Sequence, residues 1–223
     1  MSHAPSRPKR NFDMNVALKS AASCVIALLL GSACAQAATD ALAPIQQQWA
    51  VCQYQQSGNA KESCLETLST QAEAASAKEP FRTDLLIWSA IVKSTWAGAK
   101  GGLGALGLVK EAKAKLELAI KQDPKALEGS AYTSLGSLYY QVPGWPVGFG
   151  DDEKAEQLLK QALAINPTGI DPNFFYGDFL LDQGRKAEAK TYLDKAMAAP
   201  ARPGREVADE GRKMEIRERL AKL

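Results

Sequence analysis

Histidine is nearly absent: there is one, His3, in 223 residues. It falls in a leader that the sequence marks for removal. Without it the chain has no imidazole for a Ser-His or Cys-His nucleophile pair and lacks the commonest metal ligand. Nor is there an excess of either charge, with 27 basic and 25 acidic residues. That balance gives no electrostatic reason to expect a nucleic acid or an anionic membrane surface as partner. A long hydrophobic run is missing as well. The main apolar stretch, "SAASCVIALLLGSACA" (20–35), falls short of the roughly 20 residues that a membrane-spanning helix needs, which argues against an uncleaved anchor.

What that stretch supplies is the core of an export signal. Arg7, Lys9, Arg10 and Lys19 provide the positive charge, and Ala35-Gln36-Ala37 is an A-x-A cleavage site. The sequence therefore predicts a signal peptide over residues 1–37 and a periplasmic chain that begins at Ala38, with no membrane insertion after cleavage. Two other readings attach to the same segment. "GSAC", ending at Cys34, is a lipoprotein site with Gly31 where a bulky aliphatic is usual, and "KRNF" is a twin-arginine signal with Lys9 in place of the first arginine. From Met14, "MNVALKSAASCVIALLL" is also a complete signal on its own. Removing residues 1–37 takes away Arg7, Lys9, Arg10, Lys19 and Asp13, so that positions 38–223 carry one more acidic group than basic. That stretch is long enough for one domain with its own core.

The remaining chain repeats itself. "DEKAEQLLKQALAINP" places Ala155, Leu159, Ala162 and Pro167, and "GRKAEAKTYLDKAMAAPA" places Ala189, Leu193 and Ala196 at one constant offset from the first three. An earlier copy, "EAKAKLELAIKQDP", has Ala112, Leu116, Ala119 and Pro124, each at one longer constant offset before its partner. The pattern resembles the tetratricopeptide repeat, a hairpin of two antiparallel helices with a period of about 34 residues, in which small residues at two positions allow close approach. In the last copy Gly177 precedes Ala189 by the interval that motif requires. Asp171-Pro172 is read as N-cap and first-turn proline of its first helix, and Gly184 as its stop. The copy before has Gly136 and Tyr139 on its first helix, but an insertion around "VPGWPVGFG" widens the turn to the second. The expectation is an all-α array of hairpins at about 40–79, 81–124, 126–167 and 171–200 with a capping helix at 205–223.

Cys52 and Cys64 are separated by the same interval as Gly177 and Ala189 and occupy the close-approach positions of the first hairpin. In an oxidising compartment they are expected to form a disulfide, with two buried thiols serving as small packing residues as the other reading. Two thiols without histidine make a poor metal site, and no cofactor is expected. "TDLLIWSAIVKSTW" reads as an apolar helix and "AGAKGGLGALGLV" as a glycine-rich link. The link follows no β-branched strand and lacks a lysine followed by Ser or Thr at the right place, so it is not read as a phosphate loop. In "VADEGRKMEIRERLAKL" an apolar stripe through Val207, Met214 and Leu220 suits the cap, with its arginines in solvent.

The segment "GSAYTSLGSLYYQVPGWPVGFGDDEKAEQLLKQALAINPTGIDPNFFYGDFLLDQG", followed by "APARPGREVADEGRKMEIRERLAKL", also resembles the exported bacterial family grouped with the T component of TRAP transporters, from roughly Gly101 to the C-terminus. That resemblance implies an all-helical periplasmic protein whose relatives bind small hydrophobic or organic ligands and contact a substrate-binding subunit.

The leading functional expectation is a non-enzymatic scaffold or adaptor that binds a protein or peptide. The alternative is a small-molecule carrier, with Tyr139, Tyr140, Trp145, Phe149, Phe174, Phe175 and Tyr176 as candidate lining residues, although most stand at helical spacing and read first as core. Asp151, Asp152 and Glu153 are carboxylates at a helix N-terminus, where capping accounts for them without chemistry. Trp145 is expected to pack against its hairpin, and the surrounding loop to shape the rim of the binding face.

Overall fold

Apart from Met1, the computed structural model describes residues 40–223. Over that span the secondary structure is helical: α1 (Leu42–Tyr54), α2 (Gly58–Lys78), α3 (Thr83–Lys100), α4 (Ala105–Gln122), α5 (Ser130–Gln141), α6 (Asp152–Ile165), α7 (Ile170–Asp182), α8 (Lys186–Met197) and α9 (Glu206–Leu220), with one short 3-10 turn, Ala126–Gly129. Successive helices pack antiparallel-hairpin fashion as α1/α2, α3/α4, α5/α6 and α7/α8, and each hairpin packs on the next. The fold is a tetratricopeptide-repeat-like helical array.

Small residues at fixed spacing explain how tightly the hairpins close. A Cβ on Gly136 would stand 2.8 Å from Leu159 Cγ, and one on Gly177 would stand 2.9 Å from Leu193 Cγ. Those leucines, with Ala155 and Ala189, are wholly buried. The equivalent glycines thus meet equivalent leucines in both hairpins, and the inserted residues lie entirely between α5 and α6. In the first hairpin the contact is covalent: Cys52 and Cys64 are disulfide-bonded with their Cα atoms 5.6 Å apart.

Three local expectations are corrected. The glycine-rich link shrinks to Gly101–Gly104, because α3 runs on through Gly98 and Gly107 is already inside α4. The reversal is made by Gly101 and Gly102, at φ +65° and +59°, a region open to glycine at little cost. Asp171 is not a cap, since α7 starts at Ile170 after Gly169, and its carboxylate is committed elsewhere. The cap helix also presents a different face. Ala208, Gly211, Arg212 and Ile216 are buried, whereas Val207 and Met214 are exposed.

That buried face is turned towards the start of the array. Helix α9 packs on α7 and α8 and also on α1, so the last helix touches the first and the row of hairpins closes on itself. Ala208 joins the core built from Ile45, Trp49, Leu65 and Trp88, and the Tyr54 hydroxyl meets Glu215 at 3.3 Å. Gly211 lies flat on Tyr54, where a Cβ would stand 2.3–2.4 Å from three atoms of the ring. Gly211→Ala should therefore destabilise by about 1–2 kcal/mol, because overpacking against a ring body outweighs the ~1 kcal/mol that alanine gains in a helix. Thermal melting of the two proteins checks this; an unchanged or raised midpoint would show that α9 does not need that contact.

Candidate functional site

The first helices of the hairpins, α1, α3, α5 and α7, face inward, and with the Pro200–Arg205 link and α9 they line a partly open cavity of about 610 Å3. Its walls mix aromatic and hydroxyl groups. Trp49 and Trp88 meet edge to face at 5.6 Å between centroids, and the Trp49 indole N–H donates to Thr95 Oγ1 at 2.9 Å. Helix α5 contributes Thr133, Ser134 and Ser137, and α7 contributes Phe175. Leu127 and Glu128, also on the wall, hold φ +48° and +55°. That left-handed geometry is costly for residues with a side chain and is sustained only by the surrounding packing.

One end of the cavity is built from charge. Asp171 accepts from Arg202 Nη1 at 2.6 Å and from Arg212 Nε at 2.9 Å. Arg202 also donates to Asp209 at 2.7 Å, and Arg212 to Glu215 at 2.5 Å. The Arg212 guanidinium carbon sits 4.4 Å over the Phe174 ring and 4.6 Å over Phe175, so the paired phenylalanines form a platform for a buried cation. Burial alone would raise the Asp171 pKa, but Arg212 and Arg202 outweigh it and bring the carboxyl down to about 2. The arginines of α9 are thus partly structural. Arg212 is buried, and Arg219 is bonded to Asp178.

The candidate residues named from sequence separate. Phe175 lines the cavity; Phe174 is buried beneath it. Tyr176 is buried, and its hydroxyl donates to Glu156 at 3.0 Å, with burial, and then that hydrogen bond, pushing its pKa up to about 12. Tyr140 donates to Asp178 at 2.9 Å. Tyr139 and Phe149 meet edge to face at 5.5 Å with Lys113 over both rings, away from the cavity. Trp145 does not pack against the hairpin. It is 91% exposed, because Phe149 already covers the adjoining surface.

The loop that carries Trp145 is nevertheless ordered by its own backbone. Gly148 N donates to Gly144 O, Gly150 N to Pro143 O and Asp151 N to Tyr139 O, at 2.8–3.0 Å. Glycine is required where the strands of this loop cross, since a Cβ at position 150 would lie 2.0 Å from Val142 O. Asp151 caps α6 by accepting from Lys154 N at 2.9 Å. Trp145→Ala should accordingly change stability by no more than about 0.5 kcal/mol, as for exposed sites generally. A melting curve shifted by several degrees would place the indole in packing after all.

Trp49, Trp88, Thr133, Arg202 and Arg205 were not singled out from sequence. The signal for the arginines was present in "ARPGREVADEGR", where Arg202 and Arg205 lie in the proline-containing link and Arg212 follows it on α9, but a polar helix of mixed charge reads as a solvated face.

Among the described residues no cluster of three or more His, Cys, Asp or Glu is placed to hold a metal ion, and no helix is long and apolar enough to cross a membrane. A comparison with curated proteins gave no match. Residues 148–208, from the end of the Trp145 loop through α6–α8 and into α9, match the tetratricopeptide repeat. With that match in the segment where the repeat period is clearest, the chain is tetratricopeptide-repeat-like in both sequence and fold.

Proposed function

We propose that this chain is an exported, non-enzymatic helical-repeat scaffold that takes a segment of a protein partner into the cavity between its inner helices. Tetratricopeptide repeats generally mediate contacts between proteins, and the cavity carries the reading. It is lined by aromatic faces and hydroxyls, and its ionisable groups are mostly paired with one another rather than poised for acid–base work. A disulfide between α1 and α2 suits an oxidising compartment. Cleavage after Ala37 would deliver the chain to the periplasm, and N-terminal sequencing of exported material should start at Ala38; a lipid-modified Cys34 would replace that reading by a tethered one. The central test is Ser134→Trp, which fills the cavity from α5. A partner crosslinked to the parent protein should be lost by the variant while its melting temperature holds. Retention of the partner would move binding to the outer surface.

A second reading, a small-molecule-binding accessory component of a TRAP-type system, is favoured by one observation. The cavity has Arg212 of α9 on its wall and a volume usual for small-ligand sites, about 300–1,000 Å3. Native mass spectrometry of periplasm-purified protein would reveal a retained hydrophobic or organic ligand, and a bare mass would count against it.

A further inference from the structure

At the Asp171 end of the cavity the charges cancel. Arg202 and Arg212 divide Asp171, Asp209 and Glu215 between them, and Arg205, whose guanidinium carbon lies 4.9 Å over the Trp88 ring, also feels Asp171 and Asp209. Glu128 is the remaining ionised group on the wall. Its Oε2 accepts from Asn166 Nδ2 at 2.7 Å, and among the described residues no lysine or arginine pairs with it. The charge left over in the cavity is therefore negative.

An unusual backbone presents that charge. Leu127, Glu128 and Gly129 hold φ +48°, +55° and +78° in succession, whereas residues with a side chain normally enter the left-handed region singly if at all. Leu127 packs into two core clusters and so anchors the turn. Helix α5 follows at once and brings Ser130, Thr133, Ser134 and Ser137 to the wall, at spacings that share one helix face. Thr133 is only 4% exposed, yet among the described residues its hydroxyl makes no hydrogen bond. Thr67, Thr70, Thr95 and Thr191, by contrast, each donate to the carbonyl four residues back. A buried hydroxyl on a cavity wall without a partner is an open position for one.

We propose that Glu128, with the α5 hydroxyls beside it, forms a cation subsite that receives the ammonium group of a lysine in the partner segment, its methylene stem lying along Leu127. This rests on the protein-partner reading above and names the chemistry that the partner must present. An ammonium has three donors and no acceptor, which matches a carboxylate oxygen and hydroxyl lone pairs. Asn166 already holds one oxygen of Glu128, so a guanidinium fork would not find both oxygens free, and a point charge fits better. A metal ion does not match, since among the described residues no group of three or more acids, thiols or imidazoles gathers there.

The test is isothermal titration of the mature protein, up to millimolar ligand, with three probes: the peptide acetyl-alanyl-lysyl-leucine amide, the same peptide with its lysine side chain acetylated, and the free diamine cadaverine. The lysine peptide should bind about tenfold or more tightly than its acetylated form, the difference expected of a charge-assisted hydrogen bond. Glu128→Gln keeps a carbonyl acceptor for Asn166 and removes the charge, so its melting temperature should hold, and it should bind the two peptides alike. If that variant fails to fold, the ratio of the two peptides in the parent decides. Equal binding of the two peptides by the parent, an undiminished lysine preference in the variant, binding of cadaverine alone, or no binding of any probe would each overturn the subsite. A protein partner captured equally by parent and Glu128→Gln would also overturn it while leaving the scaffold reading intact, which Ser134→Trp tests separately.

Discussion

Asp171→Asn is expected to lower stability by about 2–4 kcal/mol, somewhat below the ~3–5 kcal/mol for breaking a fully buried ion pair, and to lower the melting midpoint by roughly 5–15 °C in a chain of this length. The carboxylate bridges Arg202 from the link and Arg212 from α9. Its loss leaves Arg212, buried on Phe174 and Phe175, with Glu215 alone. The effect is kept below the full value because the Asp171 side chain is 31% exposed and each arginine retains a second acid. The same variant should alter acid sensitivity. A carboxylate depressed to about 2 from the ordinary 3.8 contributes its stabilisation in full above pH ~4 and loses it as pH falls through its folded value. Glu156 behaves alike, held at about 2 by hydrogen bonds from Arg185 and Lys160. The parent should therefore lose stability between pH ~4 and ~2, and Asp171→Asn should lose less over that window, since Glu156 remains. Parallel acid titrations of the two proteins at fixed temperature check both parts. Coincident midpoints at pH 7 would mean that α9 is held by its apolar face alone.

Reduction of the Cys52–Cys64 bridge should cost about 2–3 kcal/mol, the loop-entropy value for so short a closed loop, and lower the melting midpoint by roughly 4–12 °C. The bond joins α1 to α2, and α1 carries Trp49 and the Tyr54 contact to α9. Loss should therefore be seen first as faster amide exchange in α1 and α9, with α5–α8 little changed. Uniform exchange across the chain would show that the array unfolds as one unit and that the bridge acts only on its total stability.

The sequence was most legible where geometry repeats. Gly136, Gly177, Ala155 and Ala189 could be placed because close helix approach admits only small side chains, and Cys52–Cys64 fell into the same register. The cavity was not legible, for a physical reason. Its wall is drawn from one to four residues on each of five helices, and nothing local distinguishes Trp88 or Thr133 from ordinary core positions. Aromatic clustering pointed instead to "NFFYGDF", where Phe174 and Phe175 support Arg212 and Phe175 alone reaches the cavity. Asp171-Pro172 looked like a helix start because capping is a local signal, whereas the pull of Arg202 and Arg212 arrives from the link beyond α8 and from α9, far along the chain.

The contact of α9 with α1 also bears on how such a chain can change over time. An open row of hairpins tolerates duplication or loss of a unit, because a new end exposes only what the old end exposed. A row whose last helix must meet its first has a fixed perimeter. One hairpin more or fewer would carry Gly211 away from Tyr54 and Arg205 away from Trp88. Additional sequence can then be admitted only where it points outward, and the ordered loop bearing Trp145, between α5 and α6, is sequence of that kind.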